Sequence, residues 1–359
     1  MIPYQKQKRT SCLNKESVNM KKLSFLDKII YLLNSLLAIL LVLSYLLPFV
    51  SPNSIVIFAI LSLFVPVLIF LNGLFVIYWL IKLKKQFLLS SLVLTIGFFF
   101  STPFYKISDK TSSLNKDLKV MSYNVKSFDL FHNTKEGNPS INGFDYITSI
   151  APDLLLVQEY YQSSKIKLDF PYQYIKKQNI GGRFGMAIYS KFKIINRGSL
   201  DLKKTGNNII FVDILKEKDT IRIYNLHLES LRIKPYEENF GEKDSKKLID
   251  RVSLTFKKQA DQTALFLAHE KKWKGKKIVG GDFNNTAYSW VYNQIGNNKT
   301  DAFISAGKGF GKTYRYFLPT RIDFIFTDIR ANISTFKTFD VKYSDHYPIL
   351  TKVNWEPEL

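Results

Sequence analysis

The chain has 359 residues, of which 51 are Lys or Arg and 30 are Asp or Glu, giving a formal net charge of +21. This length predicts two units, and a basic surface favours polyanionic partners such as nucleic acid, anionic lipid headgroups or phosphorylated metabolites. A surface that is simply rich in lysine, with no preferred partner, is an equal alternative. Because Cys12 is the only cysteine, a disulfide within the chain and a structural zinc–thiolate site are both excluded.

Three apolar stretches dominate the first part of the chain, at residues 29–50, 54–81 and 87–104. Each is close to the ~20 residues that a helix needs to cross the hydrocarbon core of a bilayer. Three such stretches in series differ from the single short apolar segment of a cleavable signal peptide. The pattern therefore predicts a transmembrane region of three helices over residues 29–104.

Basic residues are distributed unevenly around these stretches. Seven lie in the segment 1–28, and Lys82, Lys84 and Lys85 lie between the second and third stretches, whereas residues 51–54 carry no charge. The positive-inside rule then places the N-terminus and the second turn in the cytoplasm. We therefore expect an integral protein of the cytoplasmic membrane, with residues 105–117 as a tether and the domain 118–359 outside the cytoplasm.

Short apolar runs typical of β-strands recur after residue 117. They lie at residues 120–123, 154–158, 186–189, 209–215, 221–226, 277–280, 322–326 and 349–353. The close spacing of the runs 209–215 and 221–226 predicts a hairpin. Hairpins mixed with few helices favour an α/β sandwich over a doubly wound parallel sheet.

Helical periodicity is present at two places in this domain. Residues 144–150 follow the turn signal Asn142-Gly143, and residues 254–273 carry apolar side chains at intervals of three and four. The polar segment 232–248 has little periodicity and reads as an exposed loop. This loop could equally be a solvated surface segment without a function or a segment that contacts the substrate.

Polar side chains end several of the predicted strands. Asn124 follows the first run, Glu159 follows the second, Asp282 and Asn284 follow two glycines, and Asp345-His346 precedes the last run. Strand ends that meet at one rim would form a site rich in oxygen ligands, which suits a hard divalent cation acting on a phosphate ester. Alternatives remain at each position, because Glu159 could be a solvated charge and Asp282 with Asn284 could form a simple turn.

Histidines are few, which makes their contexts informative. His227 lies on an alternating strand and His346 follows Asp345, whereas His132 and His269 lie in a polar loop and a helix and are expected to be structural or solvent-facing. Asp323 lies inside the apolar run 322–326, where an unpaired carboxylate would be costly. We therefore expect Asp323 to have a partner, such as a histidine.

Taken in order, these polar stretches resemble the endonuclease/exonuclease/phosphatase superfamily over residues 118–354. That group includes deoxyribonucleases, apurinic endonucleases, inositol polyphosphate 5-phosphatases and neutral sphingomyelinases. The resemblance implies a four-layered α/β sandwich, in which two mixed sheets pack face to face with helices outside. The complete fold expected for this chain is that sandwich preceded by three transmembrane helices.

The resemblance also implies a metal centre. Glu159 would be the principal ligand of a Mg²⁺ or Mn²⁺ ion, with Asn124 beside it. Asp345 would be a second carboxylate of the metal site. A magnesium ion keeps several of its waters, so few protein ligands are expected.

Catalytic roles follow from the same resemblance. His227 would stabilise the phosphoryl oxygens, while Asp282 and Asn284 would orient the attacking water and the phosphate. Asp323 would hold His346, which would act as general base or polarise the phosphate. Arg321, in the same stretch as Asp323, would bind substrate.

Three functions are compatible with these residues. The first is a membrane-anchored metal-dependent nuclease, which the positive charge favours. The second keeps the mechanism but acts on a phospholipid or inositol phosphate, which tethering beside a bilayer favours. The third is a catalytically inactive binding module, disfavoured because every expected catalytic position carries a competent residue. The segments 232–248 and 308–319 match no subfamily signature that would decide the substrate.

Overall fold

A computed structural model describes residues 23–107, 117–129, 139–162, 168–232, 242–316 and 319–355. The apolar first part forms four helices, α1 (Phe25–Ser44), α2 (Val56–Ser62), α3 (Val65–Ile81) and α4 (Phe87–Phe100). Ser24 caps α1 by accepting a hydrogen bond from the Asp27 amide at 3.1 Å.

The prediction of three membrane spans is wrong for the described residues. One helical segment, Phe25–Phe49, is long and apolar enough to cross a membrane, and α2 and α3 together would add a second span only as a pair bent by 55°. Pro66 lies in the first turn of α3. Because it has no N–H, it cannot donate the backbone hydrogen bond that would continue α2 into α3. Helix α4 has 14 residues, or about 21 Å, which is short of the ~30 Å hydrocarbon core.

A buried polar network joins α1, α3 and α4. Asn34 donates to the Ser90 hydroxyl at 2.6 Å, Ser90 donates to Asn72 at 2.8 Å, and the Trp79 indole donates to Asn34 at 3.0 Å. All four side chains are buried. Hydrogen bonds between apolar helices fix their relative rotation, so these three helices pack as one unit.

Two six-stranded sheets form the rest of the molecule. The first has the order β11-β12-β1-β2-β4-β3, and the second has the order β5-β6-β7-β8-β10-β9. The strands are β1 (Leu118–Asn124), β2 (Leu154–Tyr161), β3 (Tyr172–Lys177), β4 (Phe184–Ser190), β5 (Lys193–Ser199), β6 (Ile209–Lys216), β7 (Asp219–His227), β8 (Lys276–Asp282), β9 (Lys299–Asp301), β10 (Asp323–Asp328), β11 (Asn332–Thr338) and β12 (Ile349–Asn354).

Each sheet contains one parallel pair near its centre. Strand β1 runs parallel to β2 with Asn124 opposite Gln158, and β7 runs parallel to β8 with His227 opposite Asp282. The other paired strands of both sheets are antiparallel, so both sheets are mixed. The polar ends of the central strands consequently lie together at one rim.

Apolar side chains fill the space between and outside the sheets. A central cluster joins residues of both sheets, such as Leu156 from the first and Ile278 from the second. Helices cover the outer faces: α5 (Pro139–Ile150) contributes Ile147, while α6 (Glu242–Glu270) contributes Phe266. Two shorter helices, α7 (Trp290–Gly296) and α8 (Ala302–Ala306), complete the domain. The expected sandwich of two mixed sheets flanked by helices is confirmed.

All eight predicted strands are present, and so is the predicted hairpin, which is formed by β6 and β7. Helix α5 runs through Asn142-Gly143, so the turn predicted there is wrong. Helix α6 begins at Glu242 and occupies part of the segment predicted as an exposed loop. Residues 233–241 of that segment lie outside the described residues.

The apolar helices contact the sandwich at one end. Ala59 of α2 packs with Val252 and Phe256 of α6, and the Thr286 hydroxyl donates to the Ser62 carbonyl at 3.3 Å. Asn293 donates to the Pro48 carbonyl at 3.0 Å. In the predicted tether, Lys106 exchanges two backbone hydrogen bonds with Gly309, at 2.9 and 2.8 Å, while residues 108–116 lie outside the described residues.

Candidate active site

Five of the predicted side chains come from the ends of central strands, and a sixth comes from a connecting segment. Asn124 ends β1, Glu159 lies near the end of β2, and His227 and Asp282 end β7 and β8. Asp323 begins β10 directly opposite Asp282 in the antiparallel pair. His346 lies in the segment before β12 and forms an isolated bridge with Tyr314. The sandwich thus brings residues that are far apart in the sequence to one rim.

An amide and two carboxylates form the first part of this cluster. The Asn124 amide nitrogen lies 2.9 Å from Asp282 Oδ2 and 3.2 Å from Glu159 Oε1. Asp282 is almost completely buried, whereas 42% of the Glu159 side chain is exposed. The carboxylate of Asp282 therefore lies in the interior of the site, and that of Glu159 lies at its opening.

Local backbone geometry explains why Glu159 points into the site. Its φ is +49°, and the pairing of β2 with β4 is irregular between Val157 and Tyr160. A bulge of this kind redirects a side chain that regular alternation would place elsewhere. The sequence identifies the Gln-Glu pair but contains no signal for the bulge.

His227 lies between the carboxylates without a direct hydrogen bond to either. Its Nε2 is 3.8 Å from both Glu159 Oε1 and Asp282 Oδ2, and this buried nitrogen has no partner within the described residues. Burial lowers the pKa of the His227 imidazole below its ordinary value, although the charge of Glu159 opposes this effect. The unpartnered nitrogen is a feature that a bound group would satisfy.

Asp282 is the most deeply buried carboxylate of the cluster. Burial raises its pKa to about 7, opposed by the nearby His346 and by the hydrogen bond from Asn124. The backbone amide of Asn284 also donates to Asp282 Oδ1 at 2.7 Å. These contacts hold both carboxylate oxygens in fixed directions.

Asp323 and His346 form the second part of the cluster. His346 Nδ1 lies 3.0 Å and 3.2 Å from the two oxygens of Asp323, and its Nε2 lies 3.8 Å from Asp282 Oδ2. Burial lowers the pKa of His346, but the charges of Asp323 and Asp282 outweigh it and raise the pKa to about 10. The predicted partnership between Asp323 and a histidine is therefore present.

Some supporting residues escaped the sequence analysis. Thr313 Oγ1 accepts hydrogen bonds from the amides of Ile322 and Asp323 at 3.0 and 3.1 Å. Gln158 donates to Asn225 Oδ1 at 2.6 Å across the space between the sheets. Asn225 lies two positions before His227 on the same strand face, which is the sequence signal that could have identified it.

Asn284 bonds to the backbone of the residue that follows His227. Its φ is +50°, and its side-chain amide donates to the Leu228 carbonyl at 3.0 Å. Gln259 of α6 donates to the Asn284 carbonyl at 3.2 Å and to the Glu229 carbonyl at 2.7 Å, and it accepts from Asn285 at 2.8 Å. Gln259 therefore holds the turn that follows Asp282.

Asp345 and Arg321 lie apart from the central group. Asp345 is 30% exposed and pairs with Lys126 at 2.9 Å, so it lies at the rim. The Arg321 guanidinium is buried, pairs with Asp301 at 2.6 Å and lies 4.7 Å from the ring centres of Phe303 and Phe324. These contacts hold Arg321 in place, while its Nη2 has no hydrogen-bond partner among the described residues, and its binding of substrate stays a prediction.

Two overlapping sets of side chains could hold a cation. Ligand atoms of Asp282, Asp323 and His346 lie within 4.8 Å of one another. The other set consists of Glu159, the shared Asp282 and Asn124, whose Nδ2 faces both carboxylates while its Oδ1 accepts from the Lys126 amide at 3.1 Å. Carboxylate oxygens are the ligands that Mg²⁺ and Mn²⁺ prefer, and Asn124 would join them only through Oδ1.

Comparison with solved structures finds several similar chains. The chain is similar to a humanized TDP2 from D. rerio (17% identity, TM-score 0.50, covering 66% of this chain and 99% of that one) and to the human Nocturnin catalytic domain (17%, 0.49, 70% and 97%). It is also similar to a mannosyl-6-phosphatase from Bacteroides thetaiotaomicron (16%, 0.45, 66% and 99%). No curated protein matches the chain.

Family profiles match both parts of the chain. Residues 27–104 match a domain of unknown function, and residues 121–346 match the Endonuclease/Exonuclease/phosphatase family. The second match includes the strands of the central pairs and ends at His346. The chain therefore belongs to the endonuclease/exonuclease/phosphatase family, whose members hydrolyse phosphate esters.

Proposed function

We propose that this chain is a divalent-metal-dependent phosphodiesterase that hydrolyses its substrate by attack of a water molecule. The observation that supports this most is the position of Asp282, whose Oδ2 lies 2.9 Å from the amide of Asn124 and 3.8 Å from both His227 and His346. The buried carboxylate of Asp282 thus lies between the residues proposed to bind the metal and the two histidines.

Glu159 would hold the cation together with Asn124, whose amide would rotate so that Oδ1 takes the place of the Nδ2 that faces Glu159. When bound, a divalent metal supplies Lewis-acid stabilisation of charge on the phosphoryl oxygens. Asp345 would act at the rim, where it would have to exchange its pairing with Lys126 for the metal or its waters. Magnesium and manganese remain equal candidates.

The other residues would position the reacting groups. Asp323 occupies Nδ1 of His346, which directs Nε2 towards Asp282. We infer that Asp282 orients the water and that His346 and His227 donate to phosphoryl oxygens as their charge increases. Asn284 would act through its backbone amide, which fixes the carboxylate of Asp282.

We infer that nucleic acid is the first substrate to test, because the net charge of +21 favours polyanions. A phospholipid or inositol phosphate is the second candidate. It is favoured by the hydrogen bond from Thr286, two residues after Asn284, to the Ser62 carbonyl at the end of α2. That contact places the apolar helices close to the proposed active site.

We also propose that α1 anchors the chain in the membrane with the sandwich outside the cytoplasm. Lys28 lies at the start of α1, after a segment that carries six further basic residues. The sandwich contacts the chain just beyond the other end of α1, through Pro48. This separation of basic residues from the soluble domain follows the positive-inside rule.

The test compares substrates with the full-length protein in neutral detergent. Plasmid DNA, RNA, sphingomyelin, phosphoinositides and bis-p-nitrophenyl phosphate are incubated with Mg²⁺ or Mn²⁺, with and without EDTA. We expect hydrolysis of at least one phosphodiester that EDTA abolishes and added metal restores. Cleavage of lipids alone would reject the nuclease, and activity unaffected by EDTA and by His346→Ala would reject the proposed centre.

A further inference from the structure

An apolar cavity of about 300 Å³ opens where the helices meet the sandwich. Its lining includes Ile69 of α3, Leu94 of α4 and, after the end of α4, Tyr105 and Ile107. Tyr105 is 49% exposed and Ile107 is 84% exposed. An apolar opening of this kind at the end of membrane-associated helices suits a hydrocarbon chain.

A second cavity, of about 470 Å³, lies on the neighbouring surface of the sandwich. Lys308, Lys312 and Lys337 line it, and Asp340 is the only acidic residue among its lining residues. Lys312 also lies 5.9 Å from the ring centre of Tyr347. The excess of three ammonium groups over one carboxylate favours an anionic occupant.

Aromatic side chains connect the two cavities. Phe310, which lines the lysine cavity, packs edge-on against Phe104 at 5.2 Å and against Tyr105 at 4.9 Å, and both of these line the apolar cavity. The backbone pairing of Lys106 with Gly309 holds the two walls together. The two cavities and the aromatic residues between them form one surface, here called the seam. It is apolar at the helix end and cationic at the sandwich end.

We propose that this seam binds an anionic glycerophospholipid of the membrane, with the headgroup among the three lysines and an acyl chain along Phe310 and Tyr105 into the apolar cavity. Three lysines around an aromatic edge would also suit a nucleic-acid backbone, but the residues that line the adjoining apolar cavity carry no charge for a second phosphate. The proposal goes beyond hydrolysis and does not depend on it, because the lining residues named here are not those of the proposed catalytic centre.

Native mass spectrometry of the full-length protein in neutral detergent tests the proposal, with dioleoylphosphatidylglycerol, dioleoylphosphatidylcholine and free glycerol 1-phosphate as probes. We expect preferential retention of phosphatidylglycerol over phosphatidylcholine. Since a lysine near an anionic headgroup contributes about fivefold, the triple variant Lys308→Gln, Lys312→Gln, Lys337→Gln should lose about tenfold or more in phosphatidylglycerol affinity. Phe310→Ser should weaken the binding of both lipids.

The matched control removes the same charge elsewhere. The variant Lys271→Gln, Lys272→Gln, Lys274→Gln changes three exposed lysines in the segment directly after α6 and should keep the lipid preference. Equal retention of the two lipids by the wild type, or an unchanged preference in the triple cavity variant, would overturn the proposal. Displacement of the lipid by equimolar glycerol 1-phosphate would also overturn it, in favour of a free-phosphate site. Hydrolysis of bis-p-nitrophenyl phosphate, followed in parallel, reports separately on the proposed function.

Discussion

The proposed centre depends on a small number of buried contacts between charged or polar groups. His346 is buried and sits between two carboxylates, 3.0 Å from Asp323 and 3.8 Å from Asp282. A buried charge that loses its partner is left uncompensated in a region of low dielectric constant. Single substitutions of these residues should therefore lower the catalytic rate strongly, even when the side chain changes by only one or two atoms.

Asp323→Asn should lower kcat by about 10²- to 10⁴-fold, because the amide keeps the shape of the carboxylate but removes the charge that holds His346. The measurement is the hydrolysis of bis-p-nitrophenyl phosphate. Asp213→Asn is the control, since this buried carboxylate pairs with Arg222 at 2.6 Å outside the cluster. Equal losses of activity in the two variants would contradict a specific role for Asp323.

Glu159→Gln should raise the Mg²⁺ concentration needed for half-maximal activity by about 10- to 100-fold or more, since even outer-shell partners of a metal contribute that much. The measurement is a metal titration of the hydrolysis rate. The exposed Glu217, on the hairpin between β6 and β7, provides the control Glu217→Gln, which should leave the titration unchanged. A Glu159→Gln variant with wild-type metal dependence would remove Glu159 from the metal site.

At the scale of elements, the end of β8 is tightly constrained. Gly281 has a φ of +135°, and a Cβ there would lie 2.0 Å from the Leu226 carbonyl of the paired strand β7. A Cβ on the neighbouring Gly280 would meet Leu156 Cδ1 at 2.7 Å, which is the end of a flexible side chain. Backbone atoms therefore exclude a side chain at Gly281, whereas at Gly280 the obstacle is a side chain that can move.

Gly281→Ala should lower the free energy of unfolding by about 3 kcal/mol or more, because strained backbone alone costs about 1–3 kcal/mol and the clash is with backbone atoms. Gly280→Ala should cost about 1–3 kcal/mol, the usual range for overpacking that side chains can absorb. Thermal unfolding of the two full-length variants in detergent measures the difference. Equal unfolding midpoint temperatures of the two variants would contradict the proposed difference between Gly281 and Gly280.

Gln259→Leu should lower the free energy of unfolding by about 1–3 kcal/mol, since it leaves the buried carbonyl of Glu229 and the amide of Asn285 without their partner. It should also lower kcat, because the turn carrying Asn284 loses its support from α6. Gln178→Leu removes one exposed amide, bonded to the Gly206 carbonyl at 2.7 Å, and should change stability by less than about 0.5 kcal/mol. Wild-type kcat in Gln259→Leu would show that the turn needs no support from α6.

At the scale of the whole molecule, the apolar helices and the sandwich share an interface. Tyr288, six residues after Asp282, is buried against apolar residues of α1, α3 and α4, among them Leu41, Val65 and Val93. The loop that follows the proposed catalytic turn is thus part of the helix–sandwich contact. In the proposed anchored state, this packing would fix the position of the site relative to the bilayer more firmly than the tether alone.

The proposed orientation predicts the accessibility of cysteines in intact cells. Cys12 is the only natural cysteine, and Lys272→Cys adds one in the exposed turn directly after α6. A membrane-impermeant maleimide should label residue 272 without permeabilisation and Cys12 only after it. Labelling of Cys12 alone in intact cells would reverse the proposed topology.

The sequence by itself determined the strands at the centre of both sheets and the polar residues at their ends. Central strands are buried on both faces and read as continuous apolar runs, as in β1, β2 and β8. The four strands that it missed, β3, β5, β9 and β11, are the four sheet edges. Edge strands keep one side in solvent, so their residues carry a weaker apolar pattern.

Only the tertiary structure decided which polar residues meet and how far each apolar stretch runs as a helix. Asp323 and His346 are 23 residues apart, and Asn124 and Asp282 are 158 apart, so no local pattern predicts their distances. The positive φ of Glu159 and the pairing of Arg321 with Asp301 likewise depend on neighbours from other strands. Hydropathy measures composition alone, whereas Pro66 and the short α4 determine where helices end, and this is why three apolar stretches do not form three spans.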